Sequence, residues 1–275
     1  MLQAGLYVVA TPIGNLEDIT YRAVRVLTEA DLIAAEDTRH SRVLLSHYNI
    51  TTAMRAFHEH NESELTEHML ERVGEGSAVA LISDAGTPLI SDPGYRLVKA
   101  AREAGLPVHV VPGPSAVTAA LSVAGLPPDR FVFEGFLPVK QMARKKKLEE
   151  LSREQRTLVF FESSHRIEDS IKDMSAVFGE DRVVAVCREL TKKFETVLRA
   201  PLFEVNDMLK DDSNQLKGEF VIVVDGHEAG EDETLGRALQ MAKALSEYLP
   251  ASQAARIAAK LNKVSRRALY QLLDQ

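Results

Sequence analysis

Side chains able to bind or react gather at four places in this sequence, each directly behind a short apolar run. "LYVVA" leads into Thr11, Pro12, Ile13, Gly14 and Asn15. "AVALI" leads into "SDAGTPLISDPG", Ser83 to Gly94, which writes Ser-Asp twice. "VHVV" leads into Pro112, Gly113, Pro114, Ser115 and Ala116, and "TLVFF" into Glu162, Ser163, Ser164, His165 and Arg166. An aspartate such as Asp84 accepts hydrogen bonds from hydroxyl or ammonium groups. Glycine and proline let a ligand approach a stiffened backbone. One such loop has the composition of an ordinary turn. Four of them at the ends of apolar runs favour a small-molecule site.

The familiar reactive motifs are missing. No GxxxxGK[ST] cradles phosphates, no GxGxxG follows the first apolar run, and no GxSxG elbow presents a serine. His58, His60 and His68 lie close together without an HExxH pattern or a cysteine partner, so no metal site is expected.

Charge adds a second theme. The chain of 275 residues carries a formal net charge of -7, against a protein that coats nucleic acid through bulk charge. Yet cations cluster locally: "KQMARKKK" (Lys140 to Lys147), "RIAAKLNKVSRR" (Arg256 to Arg267), Arg188 with Lys192 and Lys193, and Arg39 with Arg42. Each cluster alone suits a solvated helix face, but together they point to a phosphate-bearing partner.

These groups need elements to position them. In the first half, apolar runs ending at Pro12, Asp37, Asp84 and Gly113 read as buried strands. Helical periodicity fills Ile19–Ala30, Thr38–Tyr48, Ser63–Val73, Pro93–Ala104 and Ser115–Ala124. Alternation of that kind implies an α/β fold with a parallel sheet covered on both faces. The second copy of Ser-Asp, Ser91-Asp92, reads as the cap of the following helix, with Pro93 in its first turn.

After the connector "AGLPPDRF" the strands "RFVFEGFL", "TLVFFES", "RVVAVCREL", "ETVLRAPL" and "GEFVIVVDG" become richer in β-branched and aromatic residues. Fewer helices are expected between these strands, with two near 141–152 and 166–178, which suits a more mixed sheet. The expected division is 1–123, 124–228 and a linker with a helical tail at 229–275. "HEAGEDET" reads as the acidic linker. The tail divides at Asn262-Lys263-Val264, with Ser252 and Ser265 placed as caps. Spacing alone fits a helix-turn-helix unit and a packed helical hairpin equally. A single cysteine, Cys187, and an N-terminus without a basic segment and a long apolar segment suit a cytoplasmic protein with no membrane anchor.

The motifs "YVVATPIGNLEDIT", "AAEDTRHS", "LISDAGTPLISDPG", "VPGPSAVTAALSVAGLP", "FFESSHR", "CRELTKKFE" and "GEFVIVV", taken in order, closely resemble the tetrapyrrole methylase family. The resemblance runs from Gly5 to Asp225 and extends to the tail. It implies two α/β domains with S-adenosylmethionine bound between them, in a homodimer. Carried over, the donor loops are Pro12-Ile13-Gly14, then Asp84, Ala85 and Thr87, then Ser115-Ala116. From the second half come Phe161, Leu190, Gly218 and Glu219. Ser83-Asp84-Ala85 departs from the family's Gly-Asp-Pro, keeping neither the glycine nor the proline. Likeness to the rRNA-modifying members of that family implies methylation of a cytidine 2′-hydroxyl in the decoding region of the small-subunit (16S) rRNA, with that RNA or the assembled subunit as partner.

An activated sulfonium methyl needs positioning more than acid–base chemistry. A ribose hydroxyl still has to lose its proton. Candidates by motif position are Glu36, Asp37, Glu162, His165 and Glu189, with Lys192 placed to stabilise an alkoxide. Arg39, Arg144, Lys145, Arg166, Arg188, Lys193, Arg266 and Arg267 are the candidate RNA contacts. Two alternatives stand beside this reading: methylation of a precorrin-like tetrapyrrole, and a non-catalytic RNA-binding assembly factor.

Overall fold

The computed structural model describes residues 2–211, 213–228 and 230–273. Five strands form the first sheet: β1 (Gly5–Val9), β2 (Leu32–Ala35), β3 (Met54–Ala56), β4 (Ala78–Ile82) and β5 (Val108–Val111). Their order is β3-β2-β4-β1-β5 and every pairing is parallel. Parallel neighbours need crossovers, supplied here by α1 (Tyr21–Glu29), α2 (Thr38–His47), α3 (Glu62–Gly74) and α4 (Tyr95–Glu103), with α5 (Ala116–Val123) following β5. Separate apolar clusters cover the two faces: one joins α1 and α2 to Val9, Ile33 and Ala80, the other joins α3 and α4 to Leu6, Ala34 and Leu81. β2 and β4 are buried at every position, which is why they read as continuous apolar runs.

Local chemistry fixes the helix ends. The Thr20 hydroxyl accepts the Ala23 N–H at 3.1 Å to open α1, and the Asp37 carboxylate accepts the Arg39 N–H at 2.8 Å to open α2. Helix α4 differs from expectation. Its cap position is Gly94, at φ 119. Its first-turn N–H groups, from Gly94 and Arg96, go to the Glu62 carboxylate of α3 at 3.1 and 3.0 Å. Ser91 and Asp92 therefore do not cap it: a buried carboxylate from a neighbouring helix does, which frees both residues for the loop.

The second sheet is mixed: β6 (Phe131–Phe136), β7 (Thr157–Ser163), β8 (Val183–Arg188), β9 (Thr196–Pro201) and β10 (Glu219–Val224), in the order β6-β7-β10-β8-β9. Only β6 and β7 run parallel. One face packs on α6 (Gln141–Leu151), α7 (Ile167–Phe178) and α8 (Leu202–Asp211) through Leu148, Ile171, Val205 and Phe160. The other face packs on α5: Val117, Ala120 and Leu121 meet Val159, Ala185, Cys187 and Val223. The last helix of the first half is thus the floor of the second, and both sheets belong to one compact unit ending at Asp225.

Residues from Gly226 onward form a separate unit of α9 (Glu231–Ser246), α10 (Ala251–Asn262) and α11 (Arg266–Leu273). Ala238, Ala242, Ala258, Ala259 and Leu269 make its core. Small side chains let these helices approach closely. Lys263 turns the chain at φ 54, and the Ser265 hydroxyl accepts the Ala268 N–H at 3.4 Å as the cap of α11. Ser252, expected as a cap, lies inside α10, whose cap position is Pro250. The expected linker is shorter than "HEAGEDET", because α9 begins at Glu231.

Candidate functional site

A cleft of about 480 Å³ opens between the loops that close the two sheets. Hydrogen bonds stitch its first wall into one piece. Thr11 and Gly86 exchange backbone bonds of 2.8 and 3.1 Å, joining the loops after β1 and β4. The Thr87 hydroxyl donates to the Pro114 carbonyl at 3.0 Å, joining the loops after β4 and β5. Gly86 sits at φ 81, and a side chain there meets the Ile13 methyl at 3.2 Å. Small size and a left-handed backbone both make glycine the fitting residue.

The loops after β2 and β4 grip each other reciprocally. Asp84 accepts the Asp37 N–H at 3.0 Å, and Glu36 accepts the Asp84 N–H at 3.3 Å. Glu36, Asp84 and Asp92 then line the same wall. Burial raises the Glu36 carboxyl above its usual range, against the stabilising Asp84 N–H, and the charges of Asp84 and Asp37 push it further. Asp92 is lifted to about 6, chiefly by burial, with Glu36 and Asp84 adding repulsion and the Ser83 hydroxyl opposing it. Asp92 is the residue that reading the sequence missed. Its neighbours Ser-Asp-Pro-Gly carry the signature of a helix start, and only Glu62, thirty residues earlier, shows the cap is filled.

Two strained turns each present one apolar side chain to the cleft. Leu89 and Ser91, at φ 74 and 71, flank Ile90; Glu189 and Thr191, at φ 51 and 67, flank Leu190. Pairs of non-glycine residues in the left-handed region cost energy and persist where surroundings demand them. The second of these turns is clasped. The Lys192 ammonium pairs with Glu189 at 2.9 Å and Glu219 at 2.8 Å, while its stem lies against Gly14. A Cβ on Gly14 falls 2.5 Å from the Lys192 Cγ. Under Gly218 lies the Glu189 carboxyl, which also accepts the Glu219 N–H at 2.9 Å. Gly14 thus lets loops from the two sheets meet, and Gly218 lets the loops beside β8 and β10 meet.

Of the residues singled out for a donor, Ile13, Asp84, Ala85, Thr87, Ser115, Ala116, Phe161, Leu190, Gly218 and Glu219 all line the cleft. Pro12 and Gly14 flank Ile13 without lining it. Of the proton-transfer candidates, Glu36 and Glu162 line it. Glu162 is fully committed to structure: one oxygen pairs with Arg166 at 2.7 Å and accepts the Ser163 N–H, the other accepts the Ser170 hydroxyl at 2.6 Å. Asp37 is turned to Arg39, which holds its carboxyl well below the usual range. Asp37, His165, Glu189 and Lys192 lie outside the lining.

The candidate RNA cations separate as well. Arg144 is 3% exposed and gives both Nε and a terminal nitrogen to Asp173 at 2.7 Å. It joins α6 to α7 and is closed to a polyanion, which corrects its reading as an RNA contact. Arg166 is spent on Glu162 and the Leu137 carbonyl, and Arg188 on Lys217, Phe194 and Thr196. Arg39, Lys193, Arg266 and Arg267 are exposed, and Lys145 is half-exposed beside Asp173. Among the described residues no three His, Cys, Asp or Glu side chains group as metal ligands, and no helix is long and apolar enough to cross a membrane.

A profile described as Tetrapyrrole (Corrin/Porphyrin) Methylases matches residues 5–206, and one described as RsmI C-terminal HTH domain matches residues 232–274. The chain is 51% identical over 98% of its length to a protein named ribosomal RNA small subunit methyltransferase I from Escherichia coli O157:H7, covering 94% of that relative. It is 50% identical over 97% of its length to one of the same name from Haemophilus influenzae, covering 95% of it. A solved uroporphyrin-III-C-methyltransferase from Thermus thermophilus superposes with a TM-score of 0.56 at 21% identity, over 81% of this chain and 94% of that one, a likeness of fold. The chain belongs to the tetrapyrrole methylases, in the branch formed by the ribosomal RNA small subunit methyltransferases I.

Proposed function

We propose that the protein is an S-adenosylmethionine-dependent enzyme that methylates the 2′-hydroxyl of a cytidine in the decoding region of small-subunit rRNA. The observation that supports this most strongly is near-half identity to relatives named for rRNA methylation across the whole chain, tail included. The cytoplasm is its expected location, and a homodimer its expected state.

The cleft's lining suits the methyl donor. Ile13, Ala116, Phe161, Leu190 and Val221 give an apolar slot for a flat adenine. The N-terminus of α5 opens at Ser115 with no side chain capping it, so its first N–H groups suit the donor's carboxylate. Asp84 faces the same space and suits its ammonium or ribose hydroxyls. The bound donor supplies a methyl on a sulfonium, already activated for transfer. The protein's own task is to align the acceptor oxygen, exclude water and take one proton. Glu36 and Asp92 line the cleft with raised pKa values. Each is a stronger base than a solvated carboxylate, and one of them accepts the hydroxyl proton.

A tetrapyrrole acceptor, which the fold alone allows, leaves the helical tail and the cationic α6 without a role. The test is a panel: purified protein, labelled donor, and as acceptors small ribosomal subunits from cells lacking the enzyme, naked small-subunit RNA, and a precorrin. Label on RNA or subunits is expected. Label only on the precorrin, or donor binding without any transfer, overturns the proposal.

A further inference from the structure

Phe136 also lines the cleft, edge-on to Phe161 of the apolar slot. Strand β6 carries a register break between Phe133 and Gly135, and Gly135 adopts φ 66. A bulge of this kind re-aims the next side chain. A Cβ on Gly135 lies 3.2 Å from the Ser91 hydroxyl, so the loop after β4 closes onto the bulge. Phe136 therefore sits where the two halves of the unit meet.

Its ring lines the cleft and is still 53% exposed. It is also braced. Phe161 meets it edge-on at 5.6 Å and 63°, and Phe133 supports Phe161 in turn at 4.8 Å. The Arg166 guanidinium lies 5.9 Å from the ring centre and is itself fixed by Glu162. A rigid, half-open aromatic ring next to a fixed guanidinium is how proteins offer a stacking surface to an unpaired base.

The distribution of charge orients the ligand. On the β4 side stand Glu36, Asp84 and Asp92, which repel phosphate. Beyond Phe136 the chain exposes Val139, Lys140, Met142 and Lys146, a mixed apolar and cationic surface. Phosphates are favoured on the side of these lysines and disfavoured beside the carboxylates.

We propose that Phe136 is the platform on which the base of the target nucleotide stacks after leaving its strand, a role that rests on the RNA-methylating function above. Stacking holds the nucleoside so that its ribose hydroxyl, rather than a base atom, enters the cleft between Glu36 and Asp92. The donor's adenine takes the adjoining slot of Ile13, Ala116, Phe161, Leu190 and Val221.

The chain contains no tryptophan and six tyrosines, so Phe136→Trp adds a single tryptophan, excited selectively at the red edge, at the proposed contact. The experiment uses the full protein with small-subunit RNA or subunits as acceptor, and compares wild type with Phe136→Ala, Phe136→Leu and Phe136→Trp. Expected by calorimetry is a loss of donor affinity of no more than about threefold, since Phe136 braces Phe161 of the adenine slot, and a larger loss toward the RNA acceptor. kcat/KM for the RNA acceptor should fall about 10–100-fold in the alanine variant, nearly as far in the leucine variant, and little in the tryptophan variant. Emission of Phe136→Trp should be quenched by RNA, and less so by RNA abasic at the target nucleotide. Unchanged kcat/KM in Phe136→Ala refutes the platform. A fall that follows donor affinity makes the ring an adenine contact instead. A change of oligomeric state on sizing columns makes the surface a contact between copies. Wild-type transfer to RNA in the same assay separates these failures from failure of the underlying function.

Discussion

Replacing Asp92 by asparagine should stabilise the protein near neutral pH. In the folded chain the Asp92 carboxyl titrates at about 6, against an ordinary 3.8. A group whose pKa is raised on folding favours the folded state while protonated. That contribution is complete below 3.8 and is lost as pH rises through about 6. Above that, the folded protein carries a disfavoured charge. At about 1.4 kcal/mol per pH unit, the interval sets a ceiling of about 3 kcal/mol. Asp92 is only partly buried beside an open cleft, so solvent screening reduces this to about 1–2 kcal/mol. Asparagine keeps the shape and removes the charge. Urea unfolding at several pH values gives the measurement. Asp92→Asn should exceed wild type by about 1–2 kcal/mol at pH 7.5, and the difference should shrink toward zero at pH 4. A variant equal to or weaker than wild type at pH 7.5, or a difference independent of pH, refutes the reasoning. Methyl transfer by the same variant should fall even as stability rises, because functional carboxylates are held at a cost in stability.

Four further outcomes follow from individual contacts. Arg144→Ala leaves the Asp173 carboxylate buried, with only Lys145 at 3.5 Å and Gln141 at 3.0 Å; urea unfolding should show a loss of about 3 kcal/mol, while the salt slope of RNA binding stays unchanged. Lys192→Ala removes both the clasp on Glu189 and Glu219 and the stem over Gly14. Calorimetry should show donor affinity reduced about tenfold, the equivalent of one charged hydrogen bond, and Lys192→Met, which keeps the stem, should lose less. Burial pushes the Cys187 thiol up to about 12, so a disulfide reagent at pH 8 should label it only after denaturant is added. Removing both exposed tail cations with Arg266→Ala and Arg267→Ala should reduce the salt slope of RNA binding by about two, and an unchanged slope assigns them to packing or solvent.

What could be read from the sequence, and what could not, divides along local and non-local physics. β4 and the loop behind it announce themselves: a fully buried parallel strand is a continuous apolar run, and the loop that lines the cleft behind it is written in glycine, proline and aspartate. The three-residue β3 at the sheet edge is too short and too exposed to leave a pattern. Arg144 lies within a run of cations, and nothing local distinguishes it from Lys145. Only Asp173, on the next helix, shows which of the two is drawn inside. Asp92 was hidden for the same reason. Its capping signature is sound local chemistry, but Glu62 had already filled the position from α3. The doubled Ser-Asp is therefore one wall of the cleft, with both aspartates lining it. Phe136 left no signal because its exposure depends on a bulge at Gly135 that no alternation pattern reveals.

The position of the transferred methyl group decides whether the protein is a cytidine 2′-O-methyltransferase. Small ribosomal subunits from cells lacking the enzyme are incubated with the protein and donor carrying a labelled methyl. The RNA is then digested to nucleosides and analysed by mass spectrometry. The account predicts label in a single species, 2′-O-methylcytidine, arising from one decoding-region fragment. Label on a base atom, on a nucleoside other than cytidine, or at many sites contradicts it.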